Sequence, residues 1–411
     1  MLIECIFLSD VSMKKVLYIS PLSSKRLIDD IHLRTGNNFV FAVQKFNRFV
    51  AKGLNLNGAR VEIYSKPPLN DTVGKSWVSI PNEVEDDLNY NYISFYNVPV
   101  IKDIIVFVKA FTKVLKFGLF RREEKFVICD ILSVSLNLGA VLASIICGIK
   151  IVGLVTDMPG LMVDSDQETQ KSILSRLYSR INKRYISSYT HYVFLTEQMN
   201  QAINIHNRPY IVMEALCDNS LILYTEGTVK ANPKHVVYAG GLHEKYGLKL
   251  LVDGFRMLTR DDVKLVIYGS GPYAEELKLI SRKDPRIEYR GVATNDEVIN
   301  AELQATLLVN PRPTTEEFTK YSFPSKNMEY MASGTPLLTT MLPGIPKDYY
   351  PYVYFFEDET VEGFALALST VLNLSQDILS QKGLDAKEFV LENKNYVVQT
   401  SRILELVERN L

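Results

Sequence analysis

Short, mainly apolar runs alternate with segments of helical periodicity along most of this 411-residue chain. Examples are residues 16–20 (VLYIS), 150–155 (KIVGLV) and 263–268 (VKLVIY). Strands that are apolar on both faces lie in parallel sheets covered by helices on both sides. A chain of this length also exceeds what one hydrophobic core supports. The alternation therefore predicts an α/β protein with two Rossmann-like, doubly wound parallel-sheet domains that face each other across a cleft.

The pattern loosens between residues 207 and 233, where we expect the linker between the domains. We predict a first domain over residues 1–215, a second over 216–385, and a C-terminal helix over 386–411 that packs back on the first domain. Residues 1–12 precede Met13 and the first strand, and we interpret them as a start extension. They have neither the basic region nor the cleavage site of a signal peptide.

Composition excludes several functional classes. The net charge of −1 argues against nucleic acid as a partner. The four cysteines show no CxxC pairing, which favours free thiols in a reducing compartment. The five histidines lack metal-ligand spacing, and no GxSxG nucleophile motif occurs. The longest uncharged run, residues 131–149, contains polar side chains, and we predict a buried crossover helix there rather than a membrane span.

Two glycine turns follow strands of the second half. Gly240 and Gly241 follow the strand at 235–239, whereas Gly269 and Gly271 follow the strand at 263–268. Glycine allows a backbone N–H group to approach a phosphate closely. Neither turn is a GxGxxG fingerprint, and no Walker sequence occurs. A plain tight turn and a phosphate-binding turn both remain open.

Residues 310–336 (NPRPTTEEFTKYSFPSKNMEYMASGTP) predict a short helix between a Pro- and Thr-rich loop and a strand. The helix should begin near Pro324 and end before Gly334. Its positive N-terminus suits a phosphate. Lys326 and Glu329 lie three residues apart and share one face. They form either an exposed ion pair or a site in which the lysine neutralises a diphosphate and the glutamate binds ribose hydroxyls.

In the first half, Asp157 follows the strand at 150–155, where a carboxylate acts as a base or caps a turn. Asp164 and Asp166 have the spacing of a metal-binding DxD sequence, but they precede a helical segment, which favours capping. The segment that begins at Phe107 and ends at Arg122 mixes Lys and Arg with apolar side chains. One face would contact an anionic membrane, or the helix would face the core with solvated lysines.

Four segments of the second half occur in the order and at the spacing of one enzyme family: YAGGLHEKYGLKLLVDGF, LVIYGSGPYAEELK, YRGVATNDEV and FPSKNMEYMASGTPLLTT. Over about residues 236–372, the chain is similar to the donor domain of a family 4 retaining glycosyltransferase with the GT-B fold. The first half resembles the family through VLYIS, IVGLVTDMPG and YVFLTEQM. The resemblance is to bacterial enzymes that assemble surface polysaccharides.

The resemblance implies metal-independent transfer of a sugar from a nucleoside-diphosphate sugar to a glycan or lipid-linked acceptor. No further cofactor is expected, and the setting would be the cytoplasm, at the inner face of the cell membrane if the acceptor is lipid-linked. Glu329 would bind ribose, Gly291 and Val292 would meet the base, and the loop ahead of the helix would hold the sugar. The expected donor-binding residues are Gly240, Gly241, Lys245, Gly269, Gly271, Gly291, Val292, Glu316, Glu317, Tyr321, Ser322, Phe323, Pro324, Ser325, Lys326 and Glu329. Those expected on the acceptor side are Asn37, Asn38, Thr156 and Asp157, with Asp157 and Lys326 as catalytic residues.

The chain departs from the family pattern in the donor domain. Tyr321 occupies the position of the first glutamate of the family's pair, so Glu316 or Glu317 on a longer loop would bind the sugar. Gly241 and Tyr246 replace an arginine and a lysine.

We hypothesise that Lys326, with Lys245 second, supplies the missing cations. In the first domain, Thr156 replaces a histidine, which leaves Asp157 as the acceptor-side candidate. Two alternatives remain open: a nucleotide-sugar 2-epimerase of GT-B type, which needs no external acceptor, and a non-catalytic protein that only binds.

Overall fold

The computed structural model describes residues 13–35, 41–69, 74–119, 124–158, 184–218 and 229–409. Within these ranges the chain forms two compact units. The first unit contains the described residues up to Phe194, then Met199–Met213 and those from Tyr396 onward. The second contains Leu195–Gln198 and Glu214–Asn395. Each unit has its own parallel sheet, as the alternation of strands and helices predicts.

The described strands and helices are numbered here in chain order. The strands are β1 (Lys15–Ser20), β2 (Arg60–Ser65), β3 (Trp77–Val78), β4 (Glu83–Glu85), β5 (Leu88–Tyr92), β6 (Phe95–Tyr96), β7 (Lys125–Asp130), β8 (Lys150–Val155), β9 (His191–Phe194), β10 (Tyr210–Val212), β11 (Lys234–Ala239), β12 (Val263–Tyr268), β13 (Ile287–Gly291), β14 (Leu307–Asn310), β15 (Leu337–Thr340) and β16 (Tyr354–Phe356). The α-helices are α1 (Lys25–Thr35), α2 (Phe41–Leu56), α3 (Ile101–Leu119), α4 (Val134–Cys147), α5 (Glu197–Ile203), α6 (Leu248–Arg256), α7 (Ala274–Lys283), α8 (Asn295–Gln304), α9 (Ser325–Ser333), α10 (Val361–Leu372), α11 (Gln376–Asn393) and α12 (Tyr396–Glu408).

The sheet of the first unit has the order β10-β9-β8-β7-β1-β2-β5-β4 and is parallel except for β4 at its edge. The strand order reverses between β1 and β7, and such a reversal is where ligands bind in open α/β sheets. The predicted crossover helix is α4, which connects β7 to β8. No helix among the described residues has the length and apolar composition needed to cross a bilayer.

Helix α1 and the small strands around it correct two predictions. The sequence of residues 21–38, which follows the first apolar run and contains Pro21, Gly36 and two asparagines, predicts a loop, but α1 occupies much of this range. Its first amides, those of Lys25 and Arg26, donate to the two carboxylate oxygens of Glu85 at 2.7 and 3.1 Å. The sequence pattern also predicts a single strand near residues 92–96, within a long irregular section. Instead, β3 pairs with β6 and β4 pairs with β5, both antiparallel, and β5 also pairs with β2.

The sheet of the second unit has the order β13-β12-β11-β14-β15-β16 and is entirely parallel. Its faces are covered by two apolar clusters: one contains α6 and α10, and the other α9 and α11. The strand order reverses between β11 and β14. The glycine turns follow β11 and its neighbour β12, and α9 follows β14. The fold therefore positions the candidate site at this reversal.

The chain enters and leaves the second unit at adjacent positions. The Cys217 amide donates to the Lys394 carbonyl oxygen at 2.9 Å, and Cys217 forms a β-bridge with Asn395. The buried Lys394 ammonium lies 3.4 Å from a Glu214 carboxylate oxygen and 3.0 Å from Asp348. These contacts tie together the two ends of the second unit's main segment.

Candidate functional site

Helix α9 is anchored to the strand that ends at the reversal point. The hydroxyl of Tyr330, which is buried, accepts from the Ala239 amide at 2.9 Å and donates to the Ala239 carbonyl oxygen at 3.2 Å. Pairing between β11 and β14 stops two residues before Ala239, at Val237 and Leu308. The tyrosine hydroxyl therefore provides hydrogen bonds to the Ala239 amide and carbonyl groups, which β14 no longer pairs with.

The first turn of α9 is fixed by a second set of hydrogen bonds. The Asn310 side-chain amide donates to Asn327 Oδ1 at 2.6 Å, and Asn327 Nδ2 donates to Thr339 Oγ1 at 3.3 Å. The Thr339 hydroxyl in turn donates to the Asn310 carbonyl oxygen at 3.1 Å. The positive end of α9 thus lies at the carboxyl ends of β14 and β15, where an anion would be stabilised.

Lys326 and Glu329 form the pair that their spacing predicts. Their charged atoms lie 2.8 Å apart, and both side chains are partly exposed. Burial acts to lower the pKa of Lys326, but attraction to Glu329 and Glu302 outweighs it, so the pKa is raised. Lys326 is therefore a stable cation whose charge is already shared with a carboxylate.

The two glycine turns pack directly on each other. A Cβ on Gly269, where φ is 131°, would lie 1.8 Å from the Gly240 carbonyl oxygen, and one on Gly271 would lie 2.4 Å from that of Leu242. The Gly240 amide donates to the Tyr268 carbonyl oxygen at 3.1 Å, and the Gly269 amide donates to the Gly291 carbonyl oxygen at 2.8 Å. These glycines are needed for loop packing, and both amides are already engaged.

Other expected donor-site residues lie at the same edge of the sheet. Gly291 has φ of 71° and ends β13, and the Val292 side chain that follows is 76% exposed. Lys245 and Gly241 are exposed in the loop after β11. An exposed valine at a strand end offers an apolar surface to a flat ligand such as a base.

The loop ahead of α9 divides into buried and accessible side chains. Phe323 and Pro324 are buried, and the Phe323 ring packs 5.2 Å from that of Tyr349. The Ser322 hydroxyl is buried without a hydrogen-bond partner among the described residues. Of the residues expected to hold the sugar, Glu316, Glu317, Tyr321 and Ser325 have side chains that reach the surface, wholly or partly. Phe323 and Pro324 therefore pack in the interior and support the conformation of the loop.

Arg312, which the sequence analysis did not single out, follows β14 at the reversal point. Its guanidinium carbon lies 5.0 Å from the centre of the Tyr246 ring and 5.7 Å from that of Phe318. Burial lowers the pKa of this arginine, against the opposing influence of Tyr238 and Tyr246. Its position after an apolar strand is the sequence signal that would have identified it.

The expected acceptor-side residues follow β8 in the first unit. Asp157 is half-buried, its Oδ1 accepts from the Met158 amide at 2.7 Å, and burial raises its pKa. The Thr156 hydroxyl is buried without a hydrogen-bond partner in the described part of the chain. Asn37 and Asn38 lie outside the described residues. The acid and the hydroxyl are thus at the carboxyl end of a strand, where a ligand would meet them.

Asp130, at the end of β7, is a second acid that the sequence analysis missed. It is fully buried and accepts from Asn47 Nδ2 at 2.9 Å and from the Leu132 amide at 3.1 Å. Its pKa is raised, mainly by burial and also by the charge of Asp157. The signal was the same as for Asp157: an acid at the end of an apolar run.

The described part of the segment 107–122 is the C-terminal half of α3. Lys109 donates to the Ser94 carbonyl oxygen at 2.8 Å, and Lys113 lies 2.5 Å from Glu62. Ile104 and Val108 are exposed, whereas the opposite face is buried. These two lysines therefore bind their own unit, and the outward face mixes apolar side chains with those of Asp103, Thr112 and Lys116. Residues 120–122 lie outside the described residues.

Among the described residues, no group of three or more His, Cys, Asp or Glu side chains is arranged to hold a metal ion. The DxD spacing at Asp164 and Asp166 lies outside those residues.

Residues 233–374 match the model of the family described as "Glycosyl transferases group 1". No curated protein matches the chain in sequence. The match falls on the unit that contains α9, the glycine turns and Arg312, and it supports a glycosyltransferase.

Solved structures resemble the whole chain. HepE from Anabaena, in complex with UDP, is 12% identical with a TM-score of 0.62 and covers 96% of this chain and 100% of its own. The α,α-trehalose 6-phosphate synthase from Burkholderia multivorans is 11% identical with a TM-score of 0.63, covering 97% of each chain. A glycosyltransferase from Rickettsia africae is 13% identical with a TM-score of 0.62, covering 97% and 98%. At these identities the likeness shows the fold, which is GT-B.

Proposed function

We propose that the protein is a retaining glycosyltransferase of family 4 that transfers a sugar from a nucleoside-diphosphate sugar to a glycan or lipid-linked acceptor in cell-surface polysaccharide synthesis. The observation that carries the proposal is the start of α9, with Lys326 and Glu329, held at the reversal point of the second sheet. The group 1 glycosyl transferase match over 233–374 supports the same conclusion.

In the proposed donor site, Glu329 accepts hydrogen bonds from the ribose, and the positive end of α9 with Lys326 stabilises the departing diphosphate. Val292 offers its exposed side chain to the base. The surface-reaching residues of the loop ahead of α9, with Glu316 or Glu317, hold the sugar. HepE, which is similar in fold, is described in complexes with UDP and UDP-glucose, so uridine nucleotides are the first to test.

The proposed transfer breaks the bond between the sugar's anomeric carbon and the phosphate oxygen, and a hydroxyl of the acceptor attacks from the same face. The sugar then keeps its anomeric configuration. Neither a metal nor a further cofactor has a role in this proposal. Asp157 is the acceptor-side residue, because burial raises its pKa and makes it a better proton acceptor than an exposed aspartate.

We further propose that the enzyme acts in the cytoplasm, at the inner face of the cell membrane when its acceptor is lipid-linked. The exposed apolar side chains of α3 support membrane contact, and binding to phospholipid vesicles measures it. Vesicles with and without anionic lipid separate an apolar contact from one that also depends on Lys and Arg.

The function is tested by a thermal-shift panel of UDP-, GDP- and dTDP-sugars, because a ligand bound only by the folded state must stabilise it. Turnover is then measured with the best donor. Lys326→Ala is expected to lower kcat strongly with an unchanged melting temperature. Lys278→Ala is the matched control, since Lys278 and Glu275 form an exposed pair with the same spacing on α7.

Three results would contradict the proposal. No stabilisation by any of the three donors would exclude a nucleotide-sugar enzyme. Near-normal kcat/KM in Lys326→Ala would remove that residue from the mechanism. Formation of an epimer from the donor alone would assign the site to a 2-epimerase instead.

A further inference from the structure

Arg312 differs from the other cations near the reversal point of the second sheet in having no counter-charge. Lys326 is paired with Glu329 at 2.8 Å, and Lys245 extends into solvent. In the described part of the chain, Arg312 forms no ion pair, and its Nε is buried without a hydrogen-bond partner. Arg312 as a whole is only partly exposed, and a charge withdrawn from water is costly unless something compensates it. The residue is therefore suited to an anion that the chain itself does not supply.

The backbone fixes the base of this side chain at the reversal point. Gly247 has φ of 79°, and a Cβ there would lie 1.9 Å from the Pro311 carbonyl oxygen, so the loop after β11 touches the residue before Arg312. The Thr340 hydroxyl donates to the Arg312 carbonyl oxygen. The ends of β11, β14 and β15 thus lie close to this arginine. Ligands of open α/β sheets bind at the point where the strand order reverses.

The two aromatic rings cover the guanidinium and leave its edge for a ligand. The Tyr246 and Phe318 ring centres are 6.1 Å apart, and each lies within 6 Å of the guanidinium carbon. Contacts of this kind hold a cation through the ring faces while its N–H groups stay in the plane. The nearby Tyr238 hydroxyl donates to the Gly241 carbonyl oxygen at 2.9 Å, which links this group to the first glycine turn.

We propose that Arg312 binds the diphosphate of the donor, giving N–H groups of its guanidinium edge to phosphate oxygens beside the glycine turn at Gly240 and Gly241. This inference rests on the proposed function and assigns one part of that site. Tyr246, which occupies the position of a lysine in similar enzymes, then holds the cation in place. Arg312 in the loop after β14 and Lys326 on α9 would both contact the phosphates, and these two cations would replace those missing from the glycine-turn loop.

The test compares nucleotides that differ only in their phosphates. Whichever of UDP, GDP and dTDP stabilises the wild-type chain most is titrated calorimetrically, alongside the matching nucleoside without phosphate. Arg312→Met keeps a flexible apolar side chain between the two rings. We expect the affinity for the diphosphate to fall by about 10- to 100-fold, the usual effect of losing charged hydrogen bonds, with nucleoside binding unchanged.

Two further variants complete the design. Arg282→Met makes the same chemical change at an exposed arginine in the last turn of α7 and should bind the diphosphate as the wild type does. Arg312→Lys keeps the charge and should fall between wild type and Arg312→Met, which preserves the test if the methionine variant folds poorly.

The outcomes separate this inference from the proposed function. If no nucleoside diphosphate binds the wild-type chain, both fail. If the wild type binds and Arg312→Met binds equally well, the inference alone is wrong. An equal loss of affinity for nucleoside and diphosphate would also overturn it, because that result indicates a structural role.

Discussion

Replacing Tyr330 with phenylalanine removes one hydroxyl and two buried hydrogen bonds. The hydroxyl serves both the amide and the carbonyl oxygen of Ala239, at 2.9 and 3.2 Å, where β14 no longer pairs with β11. Each net hydrogen bond contributes about 1 kcal/mol, and a buried donor left unsatisfied costs about 1–3 kcal/mol. We therefore expect Tyr330→Phe to lower the free energy of unfolding by about 2–4 kcal/mol.

Tyr273→Phe is the matched control for this prediction. Tyr273 is equally buried in the same unit, but its hydroxyl has no hydrogen-bond partner among the described residues. Deleting an unpaired buried hydroxyl should leave stability unchanged or raise it slightly. The two variants make the same chemical change at sites that differ in hydrogen bonding.

Urea unfolding measures the stability, and hydrogen exchange of the peptide that contains Ala239 measures local opening. In Tyr330→Phe this peptide should exchange faster, and the affinity for a nucleoside diphosphate should fall, because the hydroxyl anchors the helix that carries Lys326 and Glu329. Equal stability of Tyr330→Phe and Tyr273→Phe would refute the reasoning.

Three further predictions concern pH, a buried ion pair and a glycine turn. Burial lowers the pKa of His191 from 6.5 to about 4, because the folded state disfavours the charged imidazole. The contribution of His191 to the free energy of unfolding is therefore fully present above pH 6.5. It should be lost as the pH falls to 4, by up to about 3 kcal/mol as measured by urea unfolding. Lys394→Met leaves the buried Glu214 carboxylate uncompensated and should cost about 3–5 kcal/mol. Gly269→Ala, with its Cβ 1.8 Å from a carbonyl oxygen, should lower the melting temperature far more than Gly148→Ala, which meets nothing within 4 Å.

Each of these has a control and a contrary result. His191→Asn should remove the loss of stability at acid pH, whereas His206→Asn, which replaces an exposed histidine, should retain it. Equal pH profiles of stability for the two variants would contradict the assignment. Arg409→Ala breaks an exposed pair with Glu405 and should change stability by under about 1 kcal/mol. A Lys394→Met protein as stable as Arg409→Ala would show that the buried pair contributes little. Equal melting temperatures for the two glycine variants would show that the turns relax without cost.

Much of the fold follows from local sequence signals. Burial on both faces gives a strand an uninterrupted apolar run, and β12 (Val263–Tyr268) has the bounds that its run predicts. Helix α9 begins after Pro324 and ends before Gly334, which has φ of 76°, so Pro and Gly mark its ends as expected. Such signals are contained within a few neighbouring residues.

Helix α1 was missed because what supports it is distant in sequence. Its own residues are polar on average. Ser24 at its start accepts from the Leu27 amide, but the Lys25 and Arg26 amides are satisfied by Glu85, about 60 residues further along the chain. The strands β3 to β6 are two to five residues long and partly polar, so no periodic pattern develops in them. Both cases depend on tertiary contacts that override local preference.

In the candidate site, too, some features follow from local sequence and others depend on tertiary contacts. The Lys326–Glu329 pair was predictable from spacing, and it forms at 2.8 Å. The packing of Gly269 on Gly240, and the contact of Arg312 with Tyr246, join segments that are far apart in sequence. Sequence identified the glycines and their strands, but the contacts that they make depend on which strands become neighbours.

The adjacency of Cys217 and Asn395 makes the second unit an insertion into the chain of the first. Apart from Leu195–Gln198, it is one uninterrupted segment whose ends are neighbours, the arrangement that tolerates domain exchange and circular permutation. Exchanging residues 214–395 with the corresponding segment of a similar enzyme is therefore expected to transfer the proposed nucleotide specificity together with the fold of the second unit.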